Sequence, residues 1–431
     1  MVGAEQAADP RRIDGLLSGR SWVENPGRPV TLTFSFPDSA GVYPAVYSAF
    51  DEPRSGFAPL DAAQRAAVRE ALARWAEVCG VEFVETDERT GPADLRFASS
   101  LAAGVAQAYY PDSSAAAGDV WIGPSFPSGP ASLDPGGYGF FVLIHEIGHA
   151  LGLKHPHERD GTGALLPRSE DHLGFTIMSY RAYPGASLAR PYEGEDFPST
   201  PMPGDIAAAQ SLYGDEPSTR TGDDRYAFAD GDRIWRTLYD RGGEDTIDLS
   251  GLSRGARFDL APGAGSAVGP PADTGGPPQK ITLWIAPGTV IEHAIGTDLA
   301  DRLLGNEADN RLEGRGGRDF LDGRAGDDVL VGGTADDRLV GGEGNDRAFF
   351  AGSSIGYAIT GSARKLIVRD LDPRDGRDGR DVLFDVEVLE FADGTFAVED
   401  LLARGRLPQL PDPTELVRDL VTAPEPVLAL W

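Results

Sequence analysis

The sequence predicts two kinds of fold in one chain: an α+β domain with a five-stranded mixed sheet and an active-site helix, then an all-β domain of parallel repeats. Three observations carry this. Up to about residue 213, apolar residues recur first with a period of two and then with helical spacing. Residues 145–155 place three histidines and a glutamate at spacings that suit a helix followed by a turn. From Gly296 onward, glycine and aspartate return every nine residues.

The elements follow in order. Residues 1–20 read as a polar arm or short pro-segment with little structure of its own. Thr31 to Phe36 alternates like a half-buried strand ending at Pro37. Leu60 to Val78 has helical spacing, with Asp61 as N-cap and Gly80 as the stop. Val81–Glu85, Asp94–Phe97, Ala106–Tyr110 and Asp119–Ile122 read as four more strands, a second helix begins near Gly139, and Pro201–Tyr213 forms a third helix closed by Gly214. The first large domain therefore covers 21–215. A second covers 216–405, with its repeats at 296–349, and a Pro-rich tail follows at 406–431.

Within the second helix, His145 and His149 are one turn apart and share a face, so two ring nitrogens can reach one ion. The five-residue pattern alone could be an ordinary helix face. The extension changes this: Gly152 can end the helix with a positive φ and return His155 to the same ion. Three protein ligands leave one position open, the arrangement of a catalytic zinc. Glu146, beside the first ligand, can act as general base on a water whose pKa the ion brings to about 7.

Composition narrows the class. The chain has 431 residues, 41% of them hydrophobic, enough for two or three cores. No apolar run approaches the ~20 residues a membrane helix needs. Met1 to Arg20 lacks a basic segment followed by an apolar stretch, so no N-terminal export signal is expected. A net charge of −29 disfavours nucleic acid and anionic membranes as partners and suits divalent cations. One cysteine, Cys79, rules out an internal disulfide framework and reads as a small buried hydrophobe.

Gly296, Gly305, Gly314, Gly323, Gly332 and Gly341 each open a nine-residue unit. The sixth position is Asp301, Asn310, Asp319, Asp328, Asp337 and Asp346, and the eighth is Leu303, Leu312, Leu321, Leu330, Leu339 and Ala348. A glycine-rich turn followed by a three-residue strand builds two parallel sheets with the eighth side chains stacked between them. Stacking also aligns carboxylates at the strand spacing of about 4.8 Å, which repel until hard cations with oxygen ligands, calcium above all, sit between the turns. A flexible linker would need no leucine every ninth residue. The calcium ligands expected here are Asp301, Asp319, Asp328, Asp337 and Asp346, with turn glycines Gly317, Gly326, Gly333, Gly342 and Gly344. Leu299, Ala308 and Ala335 replace the fourth-position glycine, and Arg315 and Arg324 the second, which weakens some sites. Tyr357 to Val398 reads as a small antiparallel cap, and Ala261 to Gln279 as an exposed loop without chemistry.

Over almost the whole chain these residues resemble the serralysins, the calcium-roll branch of the metzincins. The zinc helix, Thr176-Ile177-Met178-Ser179-Tyr180, Ala93 to Phe97, Gly118 to Gly123, Asp205 to Ala208, Thr219 to Asp223 and Gly242 to Asp248 carry the resemblance. It implies a metzincin catalytic domain with Met178 as the floor beneath the histidines, Tyr180 as a further zinc ligand and oxyanion donor, and a parallel β-roll. It also implies a calcium shared by Arg220, Gly222, Asp240, Gly242 and Asp245, and another calcium ligand at Glu292. Asp224 stands where the family usually has threonine. His157, where the family often has glycine, reads as a surface residue.

The resemblance implies a secreted zinc endopeptidase exported by a type I system, a monomer with protein or peptide substrates, a proteinaceous inhibitor as a further partner, and no membrane insertion. An extended peptide would pair with the edge strand at Ala106 to Tyr110. The alternative is a non-enzymatic calcium-binding adhesin or binding module with a vestigial protease domain; it would show a lost ligand or base, and none is lost.

Overall fold

The computed structural model describes residues 13–161, 163–188, 194–372, 374 and 377–403. The first twelve residues of the expected arm, part of the Asp375 to Asp381 run and the tail from 406 lie outside them. The chain forms two compact units, one reaching Asp245 and including Arg257–Ile291, the other comprising Thr246–Ala256 and the residues from Glu292 onward.

In the first unit, strands β1 (Val30–Ser35), β2 (Val81–Glu85), β3 (Leu95–Ser99), β4 (Ala106–Ala108) and β5 (Val120–Ile122) form one sheet in the order β2-β1-β3-β5-β4. Four strands run parallel and β4 pairs antiparallel with β5, which leaves β4 at the edge. Helix α1 (Ala62–Ala76) starts at a capping box: the Asp61 carboxylate accepts the Gln64 N–H at 2.8 Å, and the Gln64 side chain accepts the Asp61 N–H at 2.9 Å. It buries Val68, Ala71, Leu72 and Trp75.

Helix α2 (Tyr138–Ala150) is buried at every position from Gly139 on, so it runs through the core rather than over it. Trp75 of α1 donates its indole N–H to the Ile144 carbonyl of α2 at 2.9 Å. Helix α3 (Pro203–Tyr213) ends at Gly214, where φ is +80°. Cys79 is wholly buried, and burial pushes its thiol up to about 12, so it is inert.

Three expectations need correction. Residues 13–20 are not a loose arm: Leu16 is wholly buried, and Leu17 pairs with Leu153. The first unit does not end near residue 215, because Arg236–Leu238 pairs in parallel with Leu283–Ile285 inside it. Nor is 261–279 merely an exposed loop: Gly265–Ser266 pairs with Leu283 and Trp284, Ala272 bridges Gln279, and Val268 and Ala272 are buried.

In the second unit the nine-residue units alternate between two ladders. Strands at 293–295, 311–313, 329–331 and 347–349 pair in parallel, and so do strands at 302–304, 320–325 and 338–343. Leu303, Leu312, Leu321, Leu330, Leu339 and Ala348 are all 0% exposed, which is the physical payoff of the eighth position. Antiparallel pairs follow at 357–362 with 365–370 and at 388–391 with 394–397, while 380–384 extends one parallel ladder and 388–391 the other.

Candidate metal centres

Helix α2 and the turn after it bring His145, His149 and His155 together. The His155 Nε2 lies 3.2 Å from the His145 Nε2 and 3.0 Å from the His149 Nε2. The outer nitrogens are already used. His145 Nδ1 faces the Ile177 carbonyl at 2.7 Å, His149 Nδ1 the Leu153 carbonyl at 2.8 Å, and His155 Nδ1 the Glu158 carboxylate at 3.0 Å. A carbonyl requires a proton on the nitrogen facing it, so the Nε2 atoms of His145 and His149 carry lone pairs. Both lone pairs point at the His155 Nε2, and three ring nitrogens that close together fit a shared cation. Burial holds His145 down at about 3 and His149 well below the ordinary value, which keeps both neutral and ready to ligate.

Glu146 is buried, and burial lifts its carboxyl to about 8. Among the described residues no hydrogen bond reaches that carboxylate. A nearby dication would favour its charged form.

The floor of the site is built from two further segments. Met178 is wholly buried, and a Cβ on Gly148 would lie 2.7 Å from its sulfur, so the glycine between the two helical histidines lets the methionine approach. Asp205 of α3 accepts from the Thr176 hydroxyl at 2.5 Å and the Ile177 N–H at 2.8 Å, which fixes the carbonyl that faces His145. Asp171 accepts from the Ser179 hydroxyl at 2.5 Å and from Arg181 Nε at 2.8 Å, pinning both neighbours of Tyr180. The Tyr180 ring lies 4.3 Å from that of His155 and 5.8 Å from that of His145, centroid to centroid. Burial and the Glu146 charge raise its phenol, which stays a donor at neutral pH. Sequence reasoning missed Asp171 and the hydrogen-bonding role of Asp205; nothing in their local spacing signals a contact across the fold.

His157 departs from expectation. It is half-buried, and its ring stacks on His155 at 5.4 Å and 11° and lies 5.3 Å from Tyr180. At the end of β4, Tyr110 meets His149 edge-on at 5.6 Å. The wholly buried Glu52 binds the side chains of Gln107 and Tyr109, so one carboxylate steadies the edge strand beside the histidines.

Elsewhere in the first unit, carboxylate oxygens of Asp224, Asp240 and Asp245 lie within 4.8 Å of one another. Arg220 takes a left-handed φ of +50°, Gly242 lies at +145°, and a Cβ on Gly243 would lie 2.3 Å from the Gly222 carbonyl. The two loops that hold the expected Arg220, Gly222, Asp240, Gly242 and Asp245 set thus face each other. Asp224, read only as a departure, adds a carboxylate to that set. Glu292 lies in the second unit, where its carbonyl accepts from Arg311 and Asn310.

In the repeats, one oxygen of each Asp accepts the N–H of the sixth residue eighteen positions earlier. Asp319 accepts from Asp301 at 2.7 Å, Asp337 from Asp319 at 2.8 Å, Asp328 from Asn310 at 2.7 Å and Asp346 from Asp328 at 3.0 Å. The other oxygen of Asp319, Asp328, Asp337 and Asp346 is buried without a hydrogen-bond partner. Four buried orphan oxygens in stacked columns fit hard cations. Asp301 does not fit this pattern, because its oxygens accept from Ala256 N–H, Thr297 N–H and the Thr297 hydroxyl.

The first glycine of each unit has a packing cause: a Cβ on Gly314, Gly323, Gly332 or Gly341 would fall 2.0 to 2.5 Å from that unit's own aspartate oxygen. Gly317, Gly326, Gly333, Gly342 and Gly344 all have positive φ, and so do Arg315, Arg324 and Ala335 that replace glycine at equivalent turn positions. Leu299 and Ala308 avoid that strain, since the Thr297 and Asn306 side chains accept their N–H groups and close the turns instead.

A domain in which three histidines could hold one metal ion, with stacked turns that fit calcium later in the chain, is the class these features define. Residues 58–166 match the Matrixin family model, and residues 295–330 and 322–350 match the RTX calcium-binding nonapeptide repeat. The matrixin match implies a catalytic zinc and the repeat match calcium, and the donor sets above fit both.

Curated relatives of the chain include serralysins. Serralysin C of Dickeya chrysanthemi is 37% identical over 64% of this chain and 59% of its own length. Serralysin A of the same organism is 36% identical over 64% and 59%, and the serralysin of Photorhabdus laumondii 31% identical over 63% and 58%. The chain spans about three fifths of the length of these relatives. Among solved structures, extracellular lipase LipA from Serratia marcescens is 23% identical over 21% of this chain and 14% of its own, with a TM-score of 0.19, and supports no inference.

Proposed function

We propose that this protein is a secreted zinc-dependent endopeptidase of the metzincin type, whose parallel β-roll is stabilised by calcium and whose substrates are extracellular proteins or peptides. One observation carries the reading: three imidazole Nε2 atoms converge beside a buried carboxylate that makes no hydrogen bond among the described residues. His145, His149 and His155 would hold the zinc, with Tyr180 at its side.

A zinc held there supplies Lewis acidity to a water and to the scissile carbonyl. Glu146 takes a proton from that water and returns it to the leaving amine. The Tyr180 phenol donates to the oxyanion that develops on the carbonyl. The substrate lies extended along edge strand β4, pairing with its open backbone groups. Domain limits at 21–215 and 216–405 are replaced in this reading by the two units above. Export by a type I route, a monomeric state and a proteinaceous inhibitor complete the proposal; among the described residues no helix is long and apolar enough to cross a membrane.

The test is casein digestion by the purified protein with and without a zinc chelator, beside elemental analysis. Chelator-sensitive digestion with one zinc per chain is expected. Digestion that persists when zinc is gone, or zinc bound with no digestion of any protein, would overturn the reading, the second outcome in favour of a vestigial binding module.

A further inference from the structure

Two of the three imidazoles are set by a helix, and the third is not. Helix α2 stops at Ala150, and His155 begins a stretch with no regular structure. Its position must come from tertiary contacts. The residues just before it in the chain are held by the segment before residue 20.

Leu17 forms an antiparallel bridge with Leu153, Lys154 donates its backbone N–H to the Leu16 carbonyl at 2.7 Å, and the Ser18 N–H donates to the Gly152 carbonyl at 3.0 Å. The approach is close on both sides: a Cβ on Gly152 would lie 2.3 Å from the Arg20 carbonyl, and one on Gly161 2.2 Å from the Ser18 carbonyl. Trp22 donates its indole N–H to Ala150, the last residue of α2, at 2.8 Å.

Lys154, between the helix-ending turn and His155, is 0% exposed. Its ammonium donates to the carbonyls of Gly15 at 2.9 Å, Glu158 at 2.7 Å and Ala164 at 2.9 Å. An ammonium has three protons, and here each has a carbonyl. Among the described residues Lys154 makes no ion pair. A charge taken out of water for three neutral acceptors is costly, and apolar packing would serve a mere filler better. What the ammonium does is tie together three separate pieces of chain: the early segment, the start of the His155 loop and its return.

We propose that Ile13–Ser18 is a permanent strap of the metal site, with Lys154 as a positioning residue that holds His155 against the other two imidazoles. The proposal rests on the zinc reading above. It also fixes where processing can occur: any maturation cut falls upstream of Ile13, and a cut after Ser18 releases the third ligand.

Zinc release to a chromogenic chelator, measured well below the melting temperature, tests this in the full-length protein. Lys154→Met should release zinc about 10- to 100-fold faster, the range seen when a group orienting a metal ligand is removed. The cobalt(II)-substituted variant should show an altered visible band, as expected if His155 is displaced. Lys154→Gln, which can serve fewer carbonyls, should fall between, and it carries the same readout if the methionine variant does not fold. Deleting residues 2–12 should leave release unchanged, whereas deleting 2–18 should match or exceed Lys154→Met. N-terminal sequencing of the active protein should find Ile13 retained. Wild-type release rates in Lys154→Met and Lys154→Gln, or an active product that starts beyond Ser18, would sink the strap alone. A wild-type protein that takes up no zinc would sink the metal reading itself.

Discussion

The Asp205 carboxylate accepts the Ile177 N–H at 2.8 Å, and the carbonyl of the same Ile177 faces His145 Nδ1 at 2.7 Å. A buried acid on α3 therefore sets, through the single residue Ile177, which nitrogen of His145 carries the proton. Burial raises Asp205 to about 7, against hydrogen bonds that favour its charged form. Asp205→Ala should weaken zinc affinity about 10-fold or more and lower the melting temperature as well. Chelator competition and thermal unfolding check this. A variant with unchanged zinc affinity would show that Ile177 holds its place unaided.

Glu146 and Tyr180 should separate binding from turnover. Glu146→Gln keeps the shape of the side chain and removes the base, so zinc should stay while kcat falls by at least about 100-fold. Tyr180→Phe should lower kcat about 10- to 1000-fold with little change in KM, as expected for a donor that acts in the transition state. Asp171→Ala, which frees both neighbours of Tyr180, should reproduce part of that loss. Steady-state kinetics on a peptide substrate gives the split, and an unchanged kcat in Tyr180→Phe removes the phenol from the mechanism.

Gly323 cannot carry a side chain, because a Cβ there would sit 2.0 Å from the Asp328 oxygen that has no hydrogen-bond partner. Gly323→Ala should therefore displace that oxygen and remove at least one calcium, counted by isothermal titration against the wild type. Gly104→Ala, where a Cβ meets nothing within 4 Å and φ is not positive, is the control for composition alone.

The repeat carboxyls predict an inverted pH response in chelator. Burial raises Asp319 to about 8, Asp328 to about 7, and Asp337 and Asp346 to about 6. Unfolded, the same groups titrate near about 3.9. Between roughly pH 4 and 8 the folded repeats thus hold more protons than the unfolded chain, so stability falls as pH rises. The contribution is complete below about pH 4 and is lost as pH passes through about 6 to 8. With calcium in excess the sign reverses, because the ion needs ionised carboxylates and displaces their protons. Melting curves at pH 5 and 8.5, with calcium and with chelator, should cross; parallel curves would mean the carboxyls are not the calcium ligands.

Much of this architecture is local and could be read directly. Helical spacing put His145 and His149 on one face, the positive φ of Gly152 was implied by its place after the helix, and a leucine every ninth residue already demanded a stacked interior. Asp61 as N-cap marked the start of α1, while its reciprocal bond with Gln64 came from the structure. These signals survive because each depends on residues within one turn or one repeat of each other.

What the chain alone did not disclose lies in contacts between distant segments. Residues 13–18 look like a loose arm until Leu16 is seen buried and Gly15 is seen accepting from Lys154, 139 positions away. His157 looks like a surface residue until its ring stacks on His155, and Asp301 looks like its fellow aspartates until Ala256 and Thr297 occupy its oxygens. Local periodicity decides which elements form and which residues can reach a metal. Only tertiary packing decides which carboxylates keep an unsatisfied oxygen and which loop holds the third imidazole, since burial and hydrogen-bond competition are properties of the assembled chain.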